Sequence, residues 1–70
     1  MTDDGPVPGE VYFEFVALGR SVKVTAIDAA TAVEVSVIGP ATALQADLQR
    51  LALRKLQVRL KRSPEPGGQG

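Results

Sequence analysis

The side chains that could do catalytic chemistry in this 70-residue chain are few, because it contains no Cys, His or Trp. That composition excludes a disulfide framework and a Cys/His zinc site, and it removes the commonest pairings of a general base with a nucleophile. Glu14 and Glu34 form the best carboxylate pair, since the strand alternation described below places both on one sheet face. On an open sheet neither carboxylate is desolvated enough to act as an acid or a base. We therefore expect that the protein is not an enzyme and that it binds neither a metal nor a cofactor.

Basic residues near the end of the chain point to a second kind of chemistry, the binding of phosphates. Residues 1–47 hold seven acidic side chains and two basic ones, whereas residues 48–62 hold six basic side chains and no acid. A basic helix can neutralise nucleic-acid phosphates, and Arg50, Arg54 and Lys61 share one polar stripe when the segment is drawn as a helix. The net charge is zero. Nucleic-acid binding is therefore the alternative function and not the expected one.

Three runs of alternating apolar and polar residues predict antiparallel β-strands over about 11–18, 22–27 and 33–38. Aromatic and β-branched residues dominate all three runs, as is typical of a pleated and half-buried surface. Turn-forming residues separate the runs. The pattern predicts a meander in which consecutive strands pair.

The two hairpin turns give an independent check on the register. Closing the first turn at residues 19–20 pairs Phe15 with Val24. Closing the second on a four-residue loop at 29–32 pairs Val24 with Val37. A slip of one residue in either turn would send the apolar set of a strand to the wrong side. Both closures place the same residues on one face: Phe13, Phe15, Val22, Val24, Ala26, Val33, Val35 and Val37.

The period changes after Pro40, and the residues from Ala43 to about Lys61 predict a helix. This stretch lacks Gly and Pro and is rich in Ala, Leu, Gln, Arg and Lys, which are good helix formers. Thr42 and Gln45 have the spacing of a capping box at its start. The predicted fold class is α+β, a three-stranded antiparallel β-meander followed by one C-terminal α-helix packed on the sheet (βββα).

The apolar pattern exceeds what one chain of this size needs to cover. One apolar line on the helix suffices to pack against a sheet, yet two are present. The first line contains Leu44, Leu48, Leu51 and Val58. The second line, which we expect a partner to cover, contains Leu53, Leu56 and Leu60. The sheet face away from the helix adds five large apolar side chains: Tyr12, Val16, Leu18, Ile27 and Ile38.

These two surfaces predict a small non-enzymatic interaction or scaffold module that associates with itself. A domain of this size rarely has a core worth more than ~3–5 kcal/mol, and neither disulfides nor a zinc site can supplement it here. A dimer is the expected assembly, because closed twofold dimers are the commonest symmetry. Another protein is the alternative occupant of the same surfaces.

Composition also predicts the organisation and setting of the chain. Residues 1–9 and 63–70 are poor in apolar side chains and are predicted to be disordered tails around a single domain over 10–62. The longest apolar stretches are far shorter than the ~20 residues that span a bilayer. The acidic start, Met-Thr-Asp-Asp, is not that of a secretory signal. We expect a cytoplasmic protein that does not bind membranes.

Three segments within residues 12–56, FEFVALGRSVKVTAID, EVSVIGPATA and LQRLALRKL, resemble a family of short bacterial proteins of unknown function, chiefly alphaproteobacterial. In that family a strand meander closes on a Gly-Pro-Ala segment and leads into one helix rich in Leu, Arg and Lys. The resemblance implies this fold and a bacterial cytoplasmic origin. It implies no activity and no site residues.

Overall fold

A computed structural model describes residues 10–62, which form three antiparallel strands followed by one helix. Strands β1 (Val11–Leu18), β2 (Ser21–Asp28) and β3 (Glu34–Pro40) make one sheet in the order β1-β2-β3. Helix α1 spans Gln45–Lys61. The predicted α+β class, with a β-meander and a C-terminal helix, is confirmed. The predicted tails, 1–9 and 63–70, lie outside the described residues.

The predicted register of the sheet is confirmed in both hairpins. Phe15 faces Val24 across β1 and β2, and Val24 faces Val37 across β2 and β3. The first turn places Gly19 at a φ of +61°, a left-handed conformation that glycine adopts without steric cost. A two-residue turn with glycine first is the type II′ hairpin, whose twist matches that of the flanking strands.

The second hairpin loop is held by Asp28, the last residue of β2. Its buried carboxylate accepts hydrogen bonds from the backbone N–H of Thr31 (2.9 Å) and from the Thr31 hydroxyl (2.7 Å). The Asp28 N–H donates to the Val33 carbonyl (2.8 Å), which closes the loop. The four-residue loop predicted at 29–32 is therefore confirmed, and one carboxylate organises it.

The core lies between α1 and the face of the sheet that was predicted to be apolar. Helix α1 packs over β2 and β3 and makes few contacts with β1. The six buried apolar residues come from these three elements: Val24, Ala26, Val35, Leu48, Ala52 and Leu56. The helix is therefore offset toward one side of the sheet.

The line of α1 that faces the sheet is not the predicted one. Leu48, Ala52 and Leu56 are buried against the sheet. Three members of the predicted line are exposed instead: Leu44, Leu51 and Val58. Because Ala52 is small, it brings the helix close to the sheet, and the two leucines lie one turn away on either side. Side-chain size at the point of closest approach, and not the amount of apolar surface, sets the rotation of the helix.

Gly39 marks a second point of close approach between α1 and the sheet. A Cβ built on Gly39 would lie 2.5 Å from Cδ2 of Leu48. Leu48 is itself buried, so its side chain fills the space that a larger residue at position 39 would need. Space, and not backbone conformation, therefore favours glycine here.

The predicted capping box at the start of the helix is wrong. Helix α1 begins at Gln45 and its N-cap residue is Leu44, with no capping hydrogen bond from a side chain. The backbone N–H of Ala43 donates to the carbonyl of Pro40 (2.9 Å), so a turn extends through the residues that were expected to cap the helix. Thr42 consequently lies ahead of the position from which a hydroxyl could cap α1.

We expect Leu44→Asp to raise the free energy of unfolding by about 1 kcal/mol, because Asp supplies the missing acceptor at the N-cap. Its charge also suits the positive end of the helix dipole. Leu44 is 68% exposed, so the substitution loses little burial. Urea unfolding followed by circular dichroism measures the change, with Leu44→Ala as the control that supplies no cap. A destabilised Asp variant would contradict the cap position.

Candidate self-association surface

The sheet face away from α1, here called the outer face, consists of four cross-strand rows. The rows are Tyr12–Ile27–Glu34, Glu14–Thr25–Ser36, Val16–Lys23–Ile38 and Leu18–Ser21–Pro40. All five large apolar residues predicted for this face lie on it. Ile38 is the most exposed at 64%, Ile27 is half-buried, and the other three are about half exposed.

Polar groups divide the apolar surface of the outer face. The hydroxyls of Thr25 and Ser36 are hydrogen-bonded at 2.9 Å in the second row, which also contains the exposed Glu14. Lys23 occupies the middle of the third row. The outer face therefore carries separate apolar patches and not one continuous patch.

Tyr12, the single tyrosine of the chain, is a titratable reporter on the outer face. The negative charge of Glu10 raises the pKa of Tyr12, because a phenolate is disfavoured beside a carboxylate. We expect Glu10→Gln to lower the Tyr12 pKa toward its ordinary value, as measured by ultraviolet absorbance during an alkaline titration. An unchanged pKa in that variant would contradict the assigned cause. A pKa that varied with protein concentration would indicate that association covers Tyr12.

The inner face of β1 is left open because α1 lies over the other two strands. Phe15 belongs to this face and remains 37% exposed, while Val11 and Phe13 are half-buried. A groove of about 310 Å³, here called the β1 groove, runs between β1 and α1. Its lining residues are Val11, Phe13, Asp28, Leu53, Leu56, Gln57 and Leu60. The groove is mainly apolar: five of its seven lining residues are apolar, and Oδ2 of Asp28 is already bonded to Thr31.

The second predicted line of α1 is divided between the β1 groove and the core. Leu53 and Leu60 line the groove and keep part of their surface exposed. Leu56 is fully buried by the chain's own sheet. Its assignment to a self-association surface was therefore wrong, because the helix is rotated so that Ala52 and Leu56 face inward.

Sequence analysis missed the part that β1 plays in the exposed apolar surface. It correctly placed Phe13 and Phe15 on the inner face of the sheet, but it did not predict that the helix leaves the β1 part of that face uncovered. The position of the helix over the sheet could have been predicted from two small residues, Ala26 and Ala52, which are both fully buried. They mark the line along which the helix can approach the sheet most closely, and that line lies away from β1.

The edge of β3 is blocked in part, at Ser36 and at Pro40. Lys55 of α1 donates from Nζ to the backbone carbonyl of Ser36 at 2.8 Å. Pro40, at the end of the strand, has no N–H to offer to another strand. Natural sheets use lysines and prolines at their edges in this manner to prevent strand pairing.

The edge of β1 has neither device. The N–H of Ala29 donates to the carbonyl of Glu10 at 3.0 Å, so the backbone groups of Glu10 point toward β2. In an antiparallel ladder the direction alternates along the strand. Four residues of β1 therefore point their N–H and C=O groups away from the sheet: Val11, Phe13, Phe15 and Ala17. In the part of the chain that the structure describes, no strand pairs with this edge.

The basic residues of the alternative prediction lie together on α1. Arg50, Arg54 and Lys61 are exposed, on the side of the helix opposite Ala52. Nη1 of Arg50 also lies 3.2 Å from Oδ1 of the exposed Asp47, within an i,i+3 ion pair. The stripe therefore carries an acid among its bases. Nucleic-acid binding stays a prediction.

The candidate carboxylate pair is separated by a strand. Glu14 lies on β1 opposite Thr25, and Glu34 lies on β3 opposite Ile27, so β2 runs between them. Both glutamates are exposed. Within residues 10–62, no three His, Cys, Asp or Glu side chains gather as metal ligands. No helix in the same range has the length and apolarity that crossing a membrane requires.

Comparison with known proteins identifies a family. No curated protein and no solved structure matches the chain. The family described as Domain of unknown function (DUF6898) matches residues 8–63, a range that includes all three strands and the helix. The match covers well over half of the 70 residues and confirms the resemblance to a family of unknown function. The chain therefore belongs to the DUF6898 family.

Proposed function

We propose that this chain is a small, non-enzymatic interaction module that forms a homodimer. The observation that supports this most directly is the offset of α1, which leaves apolar side chains of β1 uncovered. Phe15 is exposed on one face of this strand, and Val16 and Leu18 are exposed on the other. Apolar surface removed from water stabilises by about 25 cal/mol per Å², so a partner on β1 would gain from both faces.

The small core supports the same proposal. Its six buried apolar residues include two alanines and two valines, and Leu56 and Val24 are the largest side chains that are fully buried. A partner that binds only the folded chain stabilises it by mass action. A second copy of the chain is the simplest such partner, and a different protein is the alternative occupant.

The mass in solution tests this proposal. Chromatography with light scattering over a range of concentrations is expected to give the mass of a dimer. Phe15→Lys, on β1, is expected to shift the mass toward the monomer, whereas Leu51→Lys, on the outward flank of α1, should leave it unchanged. A wild-type chain that is monomeric at hundreds of micromolar would overturn the proposal.

A second candidate function, nucleic-acid binding, is supported by the exposed stripe of Arg50, Arg54 and Lys61 on α1. The ion pair of Arg50 with Asp47 and the zero net charge weigh against it. A titration with random duplex DNA at low and moderate salt tests it, because phosphate contacts make binding depend strongly on salt. Absence of salt-sensitive binding at micromolar protein would dismiss this function.

We place the module in the bacterial cytoplasm, chiefly of alphaproteobacteria. Support comes from the resemblance of residues 12–56 to short bacterial proteins and from the composition of the chain, which lacks cysteine. Fractionation of cells that express the full chain tests the location. Recovery with the membrane or the periplasm would contradict it.

A further inference from the structure

We infer that the second copy docks on the edge of β1, forming an antiparallel β1–β1 pair that joins the two sheets into one of six strands. This inference rests on the proposed self-association and specifies the surface that carries it. The outer face and the β1 groove then become neighbours of the interface and not the interface itself.

The two edges of the sheet differ in a way that selects β1. On β3, Lys55 occupies the carbonyl of Ser36, and Pro40 lacks an N–H. On β1, in the described part of the chain, four alternate residues point both a backbone N–H and a backbone C=O away from the sheet. An edge of this kind is a template for pairing with another strand. A second copy supplies a strand with the same pattern.

The side chains of β1 are also those of an interior strand. Six of its eight residues are Val, Tyr, Phe or Leu, and the charged side chain of the strand is Glu14. An exposed edge strand normally carries charges that discourage pairing, whereas β1 is apolar on both of its faces. A β1–β1 pair would place new side chains beside Phe13 and Phe15 on one face and beside Tyr12 and Val16 on the other.

The outward residues also specify a register. A twofold axis at Glu14 places Phe13 opposite Phe15 of the second copy, and Val11 opposite Ala17 of the second copy. This register uses all four outward-pointing residues and forms two aromatic pairs. It also places the two Glu14 side chains opposite each other, where like charges weaken the pair. Their exposure to water limits that repulsion.

Stacking through the outer faces is the competing arrangement, and the structure favours it less. Such a stack would have to desolvate the charged groups of Glu14, which is exposed, and Lys23, which is half-buried. Burying polar groups without new hydrogen bonds is costly. Edge pairing leaves these charged groups at the surface and satisfies backbone groups that the monomer leaves at its edge.

Proline at position 17 tests the edge directly. The N–H of Ala17 points away from β2, so Ala17→Pro removes no bond of the monomer but removes two from the symmetric pair. We expect the dimer to weaken about tenfold or more, with an unchanged circular dichroism spectrum. Ala17→Ser retains the N–H and should leave the dimer intact. Ile38→Lys, on β3, should also leave it intact, because it disrupts only stacking through the outer face.

Crosslinking provides a second test, which does not depend on how well the proline variant folds. The chain has no native cysteine. In the inferred register, two copies of Glu14→Cys face each other at a non-hydrogen-bonded position, where Cα atoms lie ~4.5 Å apart, within the range that a disulfide needs. We expect mild oxidation to give a covalent dimer. Ser36→Cys, in the same row but on the opposite edge, should not crosslink. Glu14→Gln should tighten the wild-type dimer by about two- to fivefold.

The outcomes separate this inference from the proposed function. A wild-type monomer at all concentrations overturns both. A wild-type dimer that survives Ala17→Pro in a folded chain and does not crosslink through position 14 overturns the edge pairing alone. Loss of the dimer in Ile38→Lys, with Ala17→Pro still dimeric, assigns the interface to the outer face instead.

Discussion

Replacing Leu56 with alanine is expected to lower the free energy of unfolding by about 3 kcal/mol. Leu56 is one of the two largest fully buried side chains, and it lies where α1, the sheet and the β1 groove meet. The loss combines the transfer free energy of the removed carbons with the cost of the cavity that remains. Since a core of this size rarely supplies more than ~3–5 kcal/mol, much of the stability depends on this residue.

Urea unfolding measures the effect, with all variants at the same protein concentration, because association makes the midpoint depend on concentration. Leu51→Ala is the matched control, since it makes the same chemical change on the same helix at a residue that is 55% exposed. The control is expected to change the free energy of unfolding by less than about 0.5 kcal/mol. Equal losses in the two variants would show that the helix is rotated so that Leu51 and Leu56 are buried to the same extent.

Replacing Gly39 with alanine is expected to lower the free energy of unfolding by about 1–2 kcal/mol. Two effects oppose each other at this position. Removing glycine stabilises by ~0.4–1 kcal/mol through the unfolded chain. An added methyl group, however, would stand 2.5 Å from Cδ2 of Leu48, and overpacking of this kind costs ~1–3 kcal/mol. The second effect is larger because Leu48 is buried and has little room to move.

The double variant Gly39→Ala with Leu48→Ala isolates this contact. Shortening Leu48 removes the atoms that the new methyl group would meet, so the loss in the double variant should be about 1 kcal/mol smaller than the sum of the two single losses. Thermal or urea unfolding of all four chains gives that coupling. Additive losses, or a Gly39→Ala chain as stable as the wild type, would mean that the helix does not approach β3 at this point.

The strands and their register could be predicted because their determinants are local. Period-2 alternation identifies each strand, and the two turns fix the pairing, so that Phe15, Val24 and Val37 were placed in one row without tertiary information. The extent of the helix followed from propensity to within two residues at its start. The N-cap residue could not be predicted from propensity, because the turn after Pro40 moves Thr42 away from the N-cap position.

The candidate site was predictable only in part. Tyr12, Val16, Leu18, Ile27 and Ile38 were correctly assigned to the outer face, since their side of the sheet follows from alternation. On the helix, two apolar lines competed for one sheet, and the pattern alone could not rank them. The structure assigns a third line that takes residues from both and is centred on an alanine.

The amino-acid sequence by itself determined the order of the elements, the register of the sheet and the presence of more apolar surface than the small core contains. Tertiary structure decided how the helix is rotated, how far it is offset toward β3 and, consequently, that β1 is the strand left open. These features depend on the distance at which two surfaces can pack. The small residues Gly39 on β3 and Ala52 on α1 set that distance. The helix and the sheet come into contact at these positions only after the chain has folded.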